Sequence, residues 1–70
     1  MDCARDIIQF MKRNDISEIK FGDEYIFKIE YRLENVSYKI MNKFRTVIID
    51  TYDIEWAIEE IEKRRNGKNV

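Results

Sequence analysis

Histidine and proline are absent from this chain of 70 residues, and cysteine occurs once, at Cys3. Each absence closes a route. Without histidine, acid–base chemistry near neutral pH loses its most frequent side chain. A lone cysteine permits no intrachain disulfide, and with no histidine beside it there is no zinc-type ligand set. Glycine is confined to Gly22 and Gly67, so no glycine-rich phosphate loop exists. No calcium-loop pattern occurs either. No apolar run approaches the roughly 20 residues that span a bilayer. Asp2 and Asp6 interrupt the apolar residues near the N-terminus, unlike a signal peptide. Charge of one sign is also lacking: 13 basic against 14 acidic residues leave a net charge of −1. That balance generates no long-range field toward nucleic acid.

These absences lead to a set of expectations. The chain reads as one domain over residues 1–70, with residues 66–70 as a frayed tail. No enzyme activity, cofactor, metal, small-molecule substrate or membrane association is expected, and a reducing, cytoplasmic setting is. Cys3 lies on an apolar helix stripe and reads as a packed, inert thiol. Glu55, Glu59, Glu60 and Glu62 read as the wet face of a helix rather than as paired catalytic acids. A chain this short buries only about 60% of its unfolded surface. Its four Tyr, four Phe and one Trp therefore have to carry much of the packing, or a second subunit has to help.

What is present is a pleated pattern between two helical ones. From Tyr25 the odd positions read Tyr25, Phe27, Ile29, Tyr31, Leu33, while the even ones are mostly charged. Alternation over that length predicts strands with one dry and one wet face. Upstream, Ala4, Ile7, Phe10 and Met11 share a helical side with Cys3, predicting a helix over about Cys3–Arg13, with Asp2 as its cap and Asn14 as its left-handed stop. Downstream, Ile54, Ala57, Ile58 and Ile61 make the stripe of a second helix that reaches about Arg65. Thr51 or Asp53 caps it, and its Glu59–Lys63 and Glu60–Arg64 pairs have helical spacing. The predicted architecture is α+β: helix, three- to four-stranded antiparallel meander, helix, with both helices on one face of the sheet.

The turns set the expected register. At Gly22-Asp23 a shorter turn puts Phe21 opposite Glu24. A loop one residue longer puts it opposite Tyr25, and burial favours this one because a one-residue slip inverts every side chain. A turn at Glu34-Asn35 pairs Leu33 with Val36, Tyr31 with Tyr38, Ile29 with Ile40 and Glu30 with Lys39. A turn at Asn42-Lys43 starts a last strand over Phe44–Asp50, pairing Val47 with Tyr38 and Ile49 with Val36.

Two groups of residues are left over once the core is built. Trp56 falls nearly opposite the Ile54–Ile58–Ile61 stripe, with Tyr52 one turn before it on the same outer side. Exposed aromatic residues of this kind anchor protein partners; the alternative is that both rings tuck against the sheet edge or the first helix. The same register gathers Ile26, Met41, Phe44 and Ile48 on the wet face of the sheet, with Met41 and Phe44 facing each other across the turn. That surface is expected to be covered by another chain, most simply an identical one in a two-fold dimer. Lys28, Arg32, Lys39, Lys43 and Arg45 form a rival set that can track a nucleic-acid strand, although Glu24, Glu30 and Glu34 interleave with them.

No motif names a family. The isoleucine-, lysine- and asparagine-containing vocabulary and the small size look like products of AT-rich genomes, including those of phages and archaeal viruses. In outline, the order of elements from Ala4 to Arg65 resembles the small phage inhibitors of bacterial defence, anti-CRISPR proteins among them. That resemblance implies docking on a larger host complex. The expected function is thus a small protein-binding, regulatory domain that self-associates, with a phage- or virus-type inhibitor second and nucleic-acid binding third.

Overall fold

The computed structural model describes residues 3–67. Their order is α1 (Ala4–Arg13), β1 (Glu18–Phe21), β2 (Tyr25–Tyr31), β3 (Val36–Asn42), β4 (Val47–Thr51) and α2 (Ile54–Gly67). The strands form one open antiparallel meander in the order β1-β2-β3-β4. Asp2, the expected cap, and residues 68–70 of the expected tail lie outside the described residues. Asn66 and Gly67 belong to α2 rather than to a tail.

Both helices pack on the same sheet face. Ile7, Ile8 and Met11 of α1 and Ala57, Ile58 and Ile61 of α2 join Phe27, Ile29, Tyr38, Ile40 and Ile49 in one core. Each large apolar side chain buried there contributes about 1.5–3 kcal/mol. The helix ends are tied by specific groups. At the start of α1 the Ala4 N–H donates to Glu62 Oε1 of α2 at 3.1 Å, while Cys3 supplies no side-chain cap. At its end the left-handed residue is Asp15, with φ of 53°, not Asn14. Ile16 N–H donates to the Met11 carbonyl at 2.9 Å across Asp15, and the Asn14 amide donates to the Phe10 carbonyl at 2.8 Å. Asp53 is the cap of α2: its Oδ1 accepts from Glu55 N–H at 3.0 Å and Trp56 N–H at 3.2 Å. Thr51 Oγ1 supports this by accepting from Asp53 N–H at 3.0 Å.

Phe21 stands opposite Tyr25 across Gly22-Asp23-Glu24, as burial required. Gly22 has φ of 66°, the left-handed conformation that glycine adopts without strain. The Phe21 and Phe27 rings then meet with centroids 4.7 Å apart.

The register of β2 on β3 differs from the expected one by two residues. Tyr31 pairs with Val36, Ile29 with Tyr38, Phe27 with Ile40 and Ile26 with Met41. The turn at Glu34-Asn35 needs positive φ in its central residues, and no residue of this connection has it. The chain instead takes a wider loop over residues 32–35, closed by Arg32 N–H on the Asn35 carbonyl at 3.1 Å. An even slip keeps every side chain on its own face, so the dry and wet assignments survive. Leu33 does not: it sits in the loop, fully exposed. Tyr31 is half-exposed, and its hydroxyl donates to the Ile16 carbonyl at 3.3 Å.

The last hairpin departs further. β4 begins at Val47, not Phe44, and pairs Thr51 with Tyr38, Ile49 with Ile40 and Val47 with Met41, leaving Ile48 as an extra residue in a bulge. The cause is Asn42, whose Oδ1 accepts from Phe44 N–H at 2.9 Å and Thr46 N–H at 3.0 Å. Arg45, with φ of 66°, completes the turn. The loop consumes residues that an alternating pattern assigns to the strand.

Candidate protein-binding surfaces

The cap at Asp53 sets the first surface. α2 starts at Ile54, so Tyr52 precedes the helix instead of lying on its outer side one turn before Trp56. Both rings nevertheless stay in solvent: Tyr52 is 65% exposed and Trp56 45%. The core closes without either of them. Beside Trp56, Glu55 receives both nitrogens of the Arg5 guanidinium, at 2.8 and 2.7 Å. The hydrogen bond from Arg5 holds the Glu55 carboxyl below its usual value, and the same bond, accepted by Glu55, raises the Arg5 guanidinium. This bidentate pair fixes α1 against the first turn of α2.

The outer sheet face does not carry the expected apolar patch. Ile26 and Met41 pair there, but each is only 6% exposed within the single chain. Ile48 is turned by the bulge to pack against the core. Phe44 is 77% exposed at the tip of the β3–β4 turn and does not face Met41. Polar pairs bridge the strands on this outer face. Arg45 reaches across from its turn to Glu18 of β1, at 3.3 and 2.8 Å. Lys39 bonds Glu30, which stands diagonally from it rather than opposite as expected. Ser37 Oγ donates to Asp50 Oδ1 at 3.4 Å. The heads of these long side chains neutralise one another, an arrangement in which apolar stems can shield neighbouring residues.

The same bonds disperse the basic set. Arg45 is taken by Glu18, Lys39 and Arg32 by Glu30, and Lys28 lies in register with Glu18 and Lys39. The hydrogen bond from Arg45 holds the Glu18 carboxyl below its usual value. No continuous cationic track results.

Lys43 behaves differently. With Phe44 and Asn42 it lines a cleft of about 410 Å3 between the β1–β2 and β3–β4 turns. Glu24, Tyr25, Ile48 and, from the end of α2, Arg64 complete its walls. Glu59 and Glu60 both meet Lys63, at 3.6 and 3.3 Å. Arg64 therefore lacks its expected Glu60 partner, and among the described residues no carboxylate meets it. The cleft combines Phe44 and Ile48 from one expected group with Lys43 from another, and adds Arg64. No local sequence signal joins these four, because they meet only when the last turn of α2 returns over the two hairpin tips.

Among the described residues, no helix is long and apolar enough to cross a membrane, and no group of three or more His, Cys, Asp or Glu could hold a metal ion. No family model, curated protein or solved structure matches the chain.

Proposed function

We propose that this chain is a small, non-enzymatic binding domain that acts by docking on protein through the N-terminal end of α2. The observation that carries the reading is the exposure of Tyr52 and Trp56, at 65% and 45%, beside a core that is complete without them. Tyrosine and tryptophan are among the residues that dominate the energetics of protein interfaces. Rigidity favours the same surface: the Asp53 cap and the Arg5–Glu55 pair hold it in place, so little order is lost on docking. Self-association belongs to this reading, with the α2 end as its surface in place of the outer sheet face, where Ile26 and Met41 are already buried. Cys3 as a lone thiol fits a reducing cytoplasmic setting.

The test is recovery of a partner from the source cell by immobilised wild-type chain, followed by affinity measurement with Tyr52→Ala and Trp56→Ala. Binding weakened by about 30-fold or more, a hot-spot-sized loss, supports the reading, provided the melting temperature of the Tyr52→Ala chain is unchanged. Undiminished binding by both variants sinks it. Sedimentation at high micromolar concentration tests the self-association, and a monomer throughout removes that part.

A further inference from the structure

The cleft between the two hairpin tips plays no part in the reading above. Two features recommend it. The first is its charge. Arg5, Arg32, Lys39, Arg45, Lys63 and Arg65 each meet a carboxylate. At the cleft, among the described residues, no carboxylate meets Lys43 or Arg64. Lys43 Nζ stands instead 5.4 Å from the centroid of the Phe44 ring. The second feature is apolar surface that folding does not require there. Phe44 is 77% exposed at a tip whose backbone is already closed by Asn42, and Ile48, half-buried against the core, adds its remaining surface to the lining. The volume of about 410 Å3 falls in the range of roughly 300–1,000 Å3 typical of ligand sites.

We infer that this cleft binds an acidic peptide segment in which a carboxylate lies next to an aromatic or large aliphatic side chain. The carboxylate meets Lys43 and Arg64, and the apolar group covers Phe44 and Ile48. A bare anion leaves the apolar wall uncovered, and an apolar ligand leaves two cations unsatisfied. A nucleic-acid strand fits less well. It carries a phosphate at every nucleotide, whereas Arg32, Lys39 and Arg45 are already held by Glu18 and Glu30, and Glu24 lies in the cleft's own lining.

The experiment is a titration of the labelled chain, followed by its amide proton–nitrogen correlation spectrum. Three probes are compared: a capped Asp-Phe-Asp tripeptide, its Asn-Phe-Asn counterpart, and a short oligothymidine. The expected result is saturable shifts at Lys43, Phe44, Ile48 and Arg64 with the acidic peptide. Loss of two exposed ion pairs corresponds to about fivefold, so the neutral peptide is expected to bind at least that much more weakly. The double variant Lys43→Ala/Arg64→Ala is expected to show the same loss while the rest of its spectrum is unchanged. The inference is overturned by absence of saturation at millimolar peptide, by equal affinity for the neutral peptide, by wild-type affinity in the double variant, or by shifts centred on Tyr52 and Trp56. Tighter binding of oligothymidine at the same amides overturns the peptide assignment. Tyr52→Ala is expected to bind the acidic peptide as wild type does, so this inference and the proposed function stand or fall separately.

Discussion

Arg45 and Glu18 join the tip of the last hairpin to the first strand across the outer face of the sheet, with both guanidinium nitrogens on both carboxylate oxygens at 3.3 and 2.8 Å. Ile26 and Met41 pair on the same outer face and are each 6% exposed, and this strap is expected to shield them. Arg45 holds it from a left-handed backbone conformation, with φ of 66°. Arg45→Gly relieves that backbone by about 1–2 kcal/mol, which the greater freedom of the unfolded chain partly offsets, and removes the strap. Stability is therefore expected to change little, while oxidation of Met41 by peroxide accelerates several-fold. Met11, buried under the helices, serves as the internal control and is expected to remain protected. Mass spectrometry of the two peptides measures both; an unchanged Met41 rate shows that the strap shields nothing.

Acid is expected to loosen the same contacts. The hydrogen bond from Arg45 lowers the Glu18 carboxyl, and that from Arg5 lowers Glu55, each from an ordinary value of 4.5. A depressed folded-state value contributes stability that is present above the unfolded value and is lost as pH falls through the folded one. Unfolding monitored by circular dichroism should thus show stability level above about pH 5 and declining below pH 4.5. The double variant Glu18→Gln/Glu55→Gln is expected to flatten that decline. A decline of equal steepness in the variant assigns it to other carboxylates.

Glu62 acts as a cap for a helix to which it does not belong, accepting from Ala4 N–H at 3.1 Å. Glu62→Ala is expected to destabilise the chain by about 1 kcal/mol, the usual worth of a capping acceptor. Glu62→Gln retains an acceptor and is expected to recover most of the loss. Chemical denaturation of the three chains provides the comparison, and equal stability of all three removes the cap from the account.

The register has a direct test. Nuclear Overhauser contacts are expected between Ile29 and Tyr38 and absent between Leu33 and Val36. In keeping with its exposure, Leu33→Ser should alter stability by no more than about 0.5 kcal/mol. Ile40→Ala, which hollows the core, should cost about 2–5 kcal/mol. A large effect at Leu33 restores the tighter turn.

Hydropathy was enough to identify the elements and to sort the side chains of β2 and β3 by face, because alternation and helical spacing are local and redundant. Register was not legible in the same way. The slip of β2 on β3 leaves the pattern of Phe27, Ile29 and Tyr31 untouched, so it is invisible to any argument from burial alone. It is decided by which backbone positions tolerate positive φ, and Glu34 and Asn35 do not adopt it here. The last hairpin turned on the side-chain oxygen of Asn42 drawing two amides into the loop, an event that hydropathy does not encode. The outer-face residues were assigned to the correct side at Ile26 and Met41 but to the wrong environment, because each is buried within the single chain. Tyr52 and Trp56 were legible as leftovers, since an aromatic residue off the helix stripe has few places to go. Arg64 was not, because its relation to Lys43 and Phe44 exists only in three dimensions.

The bulge at Ile48 also bears on how this chain avoids its own kind. β4 forms one outer border of the sheet, and its Val47-Ile48-Ile49 run is the sort of segment that recruits further strands into cross-β stacks. An unpaired residue in its middle breaks the even spacing of free amides and carbonyls and bends the strand. A foreign strand that starts along Thr51 loses its hydrogen-bond partners by Ile48. The bulge, together with the charge of Asp50, makes this border a poor template for added strands.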